Sequence, residues 1–500
     1  MMLKYILLGL YVVVILCAGI VNRKNADSTK GFFLGDGNVG PIMSAFAFVT
    51  TYISAVAIVN AGKIGWTYGV GVMFNAFGNV FLGIFLCWLI LGKKTRLMTQ
   101  RLNTMTMPDF LRVRYNSNAF KLAGAILIFV FMVPYSGSVF MGLSYMFENI
   151  FHIPYQFALI AMTILTGIYL TMGGYKAVAL ADSIQGIIMM IGAILIAVFI
   201  WQAPEVGGPI EGIRRLTAID PKLTSLSWSA ITAALPVILL TSLGPLGMPQ
   251  MVQKFFAIKD AKSVVYATIV CTIAGFVIVF GMHLIGLYNH LFFTALPIDP
   301  QTLQPNADLL SPQMFELFLP QIIIAIIFLM IISASMSTLA GLVMVAASSI
   351  SMDLLKGYLK PDMPDRTVTR IMQALCVVFV LFSLVIAINK PTSVLTLMSV
   401  SWGAISGFFL APYLYGILWK GTTRAGAYAG GIVGILLAVV LPFVFKVPPS
   451  VSTAYALVVP LFIVPIVSWF TPKLSKEHVQ FCFSDINDNN ESSSLEEKIA

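Results

Sequence analysis

Thirteen stretches of about 20 predominantly apolar residues follow one another along this 500-residue chain. That succession constrains the fold more than any motif, because about 20 apolar residues in a helix cross the hydrocarbon core of a bilayer. The stretches cover 4–22, 40–62, 68–92, 119–147, 154–172, 178–201, 228–249, 264–290, 317–350, 367–388, 393–418, 425–445 and 451–472. They are continuous rather than alternating, which argues for helices and against an outer-membrane barrel. Charged residues make up 10 % of the chain and hydrophobic residues 58 %, where an ordinary globular domain carries roughly 25 % charged. So few charges cannot cover a water-soluble surface. Soluble enzymes, nucleic-acid binders and secreted scaffolds are thereby excluded. The expected fold is an all-α polytopic membrane protein, with a transmembrane domain over 1–472. Residues 473–500, ending in Asp, Asn, Ser and Glu, read as a disordered tail.

Lysine and arginine orient the spans. With thirteen crossings the termini lie on opposite sides. Placing the N-terminus outside puts 23 Lys and Arg on the inner side and 7 on the outer, the asymmetry that membrane insertion produces. The net charge of +9 thus reflects topology rather than nucleic-acid binding. The tail is then cytoplasmic and the protein sits in the plasma or inner membrane. Lys4, an apolar run and Arg23-Lys24 imitate a signal peptide, but no small-residue cleavage site follows, so an uncleaved first helix is expected.

Two spans are interrupted. The second holds Thr50-Thr51-Tyr52-Ile53-Ser54 about halfway across, and the seventh ends in Gly244-Pro245-Leu246-Gly247-Met248-Pro249, which no regular helix accommodates. Broken helices mark transporter binding sites, although kinks and hydroxyl residues also occur in membrane helices for structural reasons. Spans 2 and 7 are five apart, so they run in opposite directions. That spacing fits an inverted repeat of spans 2–6 and 7–11, with spans 1, 12 and 13 peripheral.

Among Asp and Glu, only Asp182 falls within these spans. A carboxylate in a membrane is costly and marks an ion path by default; its structural alternative is a helix-end pair with Lys176. Span 9 carries Ser333-Ala334-Ser335-Met336-Ser337-Thr338. Ala334, Ser337 and Thr338 share one helix face. Two hydroxyls, the Ala334 carbonyl and carbonyls of Thr50 and Ile53 freed by the break would give five neutral oxygens, a set suited to a small hard cation. The alternative is that these hydroxyls bond only to their own helix. The five cysteines and the histidines show no metal-ligand spacing, and His283 reads as a packing residue. Ser54, Asn75, Tyr135 and Thr241 lie near the breaks and are candidate solute contacts, each with a packing alternative.

Gly173-Gly174-Tyr175-Lys176-Ala177-Val178, followed by Asp182-Ser183-Ile184-Gln185-Gly186, resembles one signature of the sodium:solute symporter family. Trp419-Lys420-Gly421-Thr422-Thr423-Arg424-Ala425-Gly426-Ala427-Tyr428-Ala429-Gly430 resembles the other, and Met336-Ser337-Thr338 resembles its sodium-site helix. The similarity runs from span 1 through span 13. It implies an inverted-repeat transporter fold and sodium-coupled uptake of a small organic solute, with Na+ as coupling ion and no organic cofactor. It also implies sodium contacts at Thr50, Ile53, Ala334, Ser337 and Thr338, sodium passage at Asp182, and a solute contact at Tyr135. Thr51-Tyr52-Ile53-Ser54-Ala55, Leu91-Gly92-Lys93-Lys94, Ile219-Asp220-Pro221 and Gly281-Met282-His283-Leu284 resemble the pantothenate permease branch. Tyr135 resembles the proline branch, whereas Tyr52 stands where that branch carries an aspartate. The expected function is therefore sodium symport of pantothenate or another monocarboxylate. Symport of proline, another amino acid or a sugar is the alternative within the class, and a transporter-like membrane sensor the alternative outside it. An enzyme is not expected, since no span pairs a nucleophile with a base.

Overall fold

The computed structural model describes residues 2–21, 28–151, 154–299, 302–389 and 391–484, almost entirely as helix. Ten of the described helices are long and apolar enough to cross a membrane, or 11 when one pair bent by 50° counts as a single span. In chain order the main helices are α1 (Met2–Val21), α2 (Pro41–Tyr52), α3 (Ala55–Tyr68), α4 (Gly71–Arg101), α5 (Asn118–Phe151), α6 (Tyr155–Gln202) and α7 (Trp228–Gly247). They continue as α8 (Pro249–Ala257), α9 (Ala261–Tyr288), α10 (Gln321–Leu359), α11 (Asp365–Asn389), α12 (Val394–Leu418), α13 (Arg424–Phe443) and α14 (Pro449–Phe470). The bent pair is α2 with α3. The expected first span is helical as α1 and the fifth as the first part of α6.

Local chemistry sets the helix ends. Pro41, Pro249 and Pro449 open helices at a position where a missing N–H costs nothing. Ser227, Asp260, Ser393 and Thr423 cap α7, α9, α12 and α13 by accepting a backbone N–H with the side chain. Within α6 the chain turns at Gly174, whose φ of +59° suits glycine, and a Cβ there would sit 3.1 Å from the Phe32 backbone. The Gly173-Gly174 motif is thus a corner. Gly65 and Gly286 let α3 and α9 touch backbone to backbone, since a Cβ on Gly65 would lie 2.0 Å from the Gly286 carbonyl oxygen.

The outer surface is apolar. Ile187, Ile191, Ile194 and Val198 form an exposed stripe on α6, and Ile269, Ile273 and Phe276 another on α9; hydrocarbon is the solvent that such stripes match. α10 runs through the interior, with every residue from Ile331 to Ser349 buried.

Two expectations are corrected. The ninth span does not end at 350: α10 continues to Leu359 and carries Asp353 into a buried position. Its carboxylate accepts from Thr106 Oγ1 at 2.6 Å and lies 3.7 Å from Lys121 Nζ, so the charge is met and the helix can extend. Nor is 473–500 uniformly without structure, because residues 476–484 are helical. There Cys482 and Phe483 are buried, the Arg114 guanidinium stacks 5.1 Å from the Phe483 ring, and His478 Nε2 approaches the Arg114 carbonyl at 3.2 Å. A short apolar pair inside a polar tail escapes an averaged composition. Residues 485–500 lie outside the described residues.

Candidate functional site

The first break follows from the backbone. α2 ends at Tyr52, and Ile53 and Ser54 are extended (φ −103°, ψ 116° and φ −124°, ψ 180°). α3 restarts with Ser54 as its cap, the hydroxyl accepting from Val56 N. The last carbonyls of α2 are thereby freed from the ladder. Two hydroxyls of α10 replace the missing donors, and a third meets an open N–H of α3. Ser337 Oγ donates to Thr50 O (2.7 Å) and Ala334 O (3.1 Å). Thr338 Oγ1 reaches Thr51 O (3.0 Å), Ala334 O (3.0 Å) and Thr50 O (3.3 Å). Ser335 Oγ accepts from Ala55 N at 3.3 Å.

Around Thr50 O, Thr51 O, Ala334 O, Ser337 Oγ and Thr338 Oγ1 only two hydroxyl hydrogens are supplied, beside the helical N–H that Ala334 O already receives, and all five residues are fully buried. Such a cluster has surplus lone pairs and suits a desolvated hard cation. Thr50, Ala334, Ser337 and Thr338 are brought together as the helical spacing requires. Ile53 is not: among the described residues no hydroxyl of α10 reaches its carbonyl, and its N–H returns to Val49 O. Thr51 takes that place. The signal for it was the same break, two residues earlier.

Beside this cluster lies a cavity with about 490 Å³ of atom-free space including its mouth. Ile53, Ser54, Asn75, Tyr135 and Thr241 all line it, joined by Tyr52, Asn60, Asn79, His283 and Trp402. Asn75 is the hub. Its Nδ2 donates to Thr241 Oγ1 (2.7 Å), while its Oδ1 faces His283 Nε2 (3.0 Å) and accepts from Asn79 Nδ2 (3.3 Å). Tyr135 meets the Trp402 ring edge to face at 5.6 Å. None of the described lining residues is Asp, Glu, Lys or Arg. His283, expected to be packing only, is a wall of the cavity. A lone histidine in an apolar run gives no sign of that, whereas Asn79 could have been found from its i,i+4 relation to Asn75.

The second break lies at Met248 (φ −87°, ψ 120°), between α7 and α8. Pro245 and Pro249 flank it. Gly244 O, freed nearby, accepts from Ser406 Oγ of α12 at 2.7 Å, and Thr241 O accepts from Tyr52 OH at 2.8 Å. Further along, Asp182 is fully buried, and neither carboxylate oxygen has a hydrogen-bond partner among the described residues. Lys176, its alternative partner, pairs instead with Asp36 at 3.5 Å. The cation that acts on Asp182 is Lys254 of α8, itself buried with its Nζ 5.0 Å from the centre of the Tyr175 ring.

A profile of the sodium:solute symporter family matches residues 32–434. The chain belongs to this family. It is 26 % identical over 497 residues to a sodium/proline symporter of Staphylococcus aureus, covering 97 % of this chain and 95 % of that one. Its fold is similar to the substrate-bound outward-open state of a Na+-coupled sialic acid symporter, with a TM-score of 0.75 at 19 % identity over 95 % of this chain and 99 % of that one. It also matches MhsT in complex with L-phenylalanine, with a TM-score of 0.55 at 13 % identity over 87 % of this chain and 98 % of that one. As a family member this chain is a membrane-embedded, sodium-coupled symporter of small solutes; it moves its cargo and does not convert it.

Proposed function

We propose that this symporter carries a small organic monocarboxylate into the cell together with sodium, by alternating access, with pantothenate the first candidate. The observation that supports it best is the buried five-oxygen cluster bordering a cavity that lacks formal charge. Sodium binds among Thr50, Ala334, Ser337 and Thr338, with Thr51 and the Ile53 carbonyl at the same break. The solute sits beside it against Ser54, Asn75, Tyr135 and Thr241. Asn60 Oδ1, buried and without a hydrogen-bond partner among the described residues, accepts an N–H or O–H of the solute. Asp182 receives sodium on its way inward. Breaks at residues 53–54 and 248 support an inverted repeat within thirteen spans, and the 23-to-7 basic asymmetry supports an outer N-terminus and an inner C-terminus. The membrane potential adds about 2.3 kcal/mol per charge per 100 mV.

Proline symport is the second reading, favoured by the Staphylococcus aureus relative and by Tyr135 in the cavity wall. Against it, the Tyr52 hydroxyl is committed to Thr241 O, and no described lining residue is an acid that would meet an ammonium. Uptake of labelled pantothenate and proline, each with sodium and with choline in its place at fixed pH, tests the proposal. Pantothenate uptake should fall at least about tenfold without sodium. Equal uptake in both media refutes coupling, uptake of proline alone selects the second reading, and sodium binding with no uptake of either points to a sensor.

A further inference from the structure

His283 sits mid-helix in α9 and is 3 % exposed. Its Nδ1 lies 2.7 Å from the Val279 carbonyl oxygen and its Nε2 lies 3.0 Å from Asn75 Oδ1. A carbonyl oxygen only accepts. The Asn75 oxygen is also an acceptor here, because the amide orientation is set by Nδ2, which donates to Thr241 Oγ1 at 2.7 Å and reaches Val237 O at 3.5 Å. Asn79 Nδ2 donates to that same oxygen at 3.3 Å.

A neutral imidazole has one N–H. It satisfies one of the two oxygens and sets a lone pair against the other. A ring with two protons satisfies both. Burial opposes that charge unless an anion accompanies it. The helices around the cavity bring no such anion. Among the described lining residues only the phenols of Tyr52 and Tyr135 titrate besides His283, and Tyr52 donates to Thr241 O. The ring is geometrically set for a second proton and electrostatically short of a counter-ion.

We propose that His283 is the residue that selects a carboxylate: the solute anion and one proton from the medium enter the pocket together, the proton completing the contacts to Val279 and Asn75, the carboxylate balancing the charge. This rests on the monocarboxylate reading above. Both N–H groups remain on protein oxygens, so the pairing acts through charge in a low-dielectric cavity rather than through a direct N–H contact. The ligand class is a compact monoanion, and a neutral analogue binds without the proton.

Calorimetric titration of the purified full chain in saturating sodium, in two buffers of different ionisation enthalpy, counts that proton. The probes are pantothenate and butyrate, with pantothenol and butyramide as neutral counterparts and proline as a zwitterion that brings its own cation. Close to one proton should be taken up per monoanion bound, and the Kd should rise with pH by up to about tenfold per unit. His283→Gln keeps a neutral N–H donor and cannot take up a proton. It should abolish proton uptake, flatten the pH profile and weaken carboxylates about 10- to 100-fold. Asn75→Asp supplies a resident anion beside the ring and should likewise end proton-linked binding, which keeps the test decisive if His283→Gln fails to fold. Monoanion binding without proton uptake, or a wild-type pH slope in His283→Gln, overturns the inference and leaves the monocarboxylate reading standing. Binding of neither monoanion overturns both, and sodium-dependent thermal stabilisation without solute then shows that the protein and its coupling site are intact.

Discussion

The two breaks begin as the same backbone defect and end as different chemistry. At residues 53–54 the freed carbonyls meet a helix face whose two hydroxyls are each shared among several acceptors, leaving two hydroxyl hydrogens for Thr50 O, Thr51 O and the helix-bonded Ala334 O. Near Met248 two freed carbonyls each receive a donor of their own, Ser406 for Gly244 and Tyr52 for Thr241. The first arrangement shares its hydrogens among several acceptors, whereas these two acceptors are matched one to one. A broken helix is therefore not in itself an ion site; the ratio of oxygens to hydrogens in what packs against it decides.

The largest effect should come from the unbalanced break. Ser337→Ala with Thr338→Ala removes two oxygens and both shared hydrogens. It should raise half-saturating sodium by about 100-fold or more, at about 1.5–3 kcal/mol per contact to a charge. Sodium-dependent thermal stabilisation would measure it, and an unchanged sodium dependence would erase the distinction drawn here. A smaller effect is expected at the balanced break. Ser406→Ala orphans the buried Gly244 carbonyl and should cost about 1–2 kcal/mol of stability, seen as a lower Tm, with sodium affinity nearly intact. A large sodium defect in that variant would show that both breaks feel the ion. The smallest effect serves as a baseline. Glu211 lies far along the chain from either break, and hydrogen bonds from Arg214 and then Arg215 hold its carboxyl down at about 2. Its contribution is present above the ordinary carboxylate range and fades as pH falls toward that value. The group is exposed, so Glu211→Gln should leave Tm at neutral pH unchanged.

The membrane architecture was readable because apolar length is a one-dimensional property, and the long helices coincide with the apolar stretches. The breaks were readable because Gly, Pro or hydroxyl residues cluster there, but only in part: single prolines such as Pro134, Pro412 and Pro460 sit inside continuous helices, and residues 244–247 stay helical up to Met248. Ala334, Ser337 and Thr338 could be placed on one face by spacing alone. What escaped depended on a partner distant in sequence. Thr51 rather than Ile53 meets α10 because of how two helices cross, not because of either helix's own pattern. His283 became a cavity wall through Asn75, 208 positions away. Asp353 lies beyond the apolar stretch that ends at 350, and its burial depends on Lys121 and on Thr106, 247 positions away. The helix at 476–484 depends on a docking ring and guanidinium that no composition window contains.

The Tyr52 phenol spans from the end of α2 to the Thr241 carbonyl of α7. It works as a tie-rod: one broken rod cannot tilt away from the other without stretching it. A swing of the α2–α3 pair must therefore drag the α7–α8 pair along or break this strut, and the Val39 backbone, paired with Ala257 and Lys259 at the other end, acts as the hinge on which the linkage would turn.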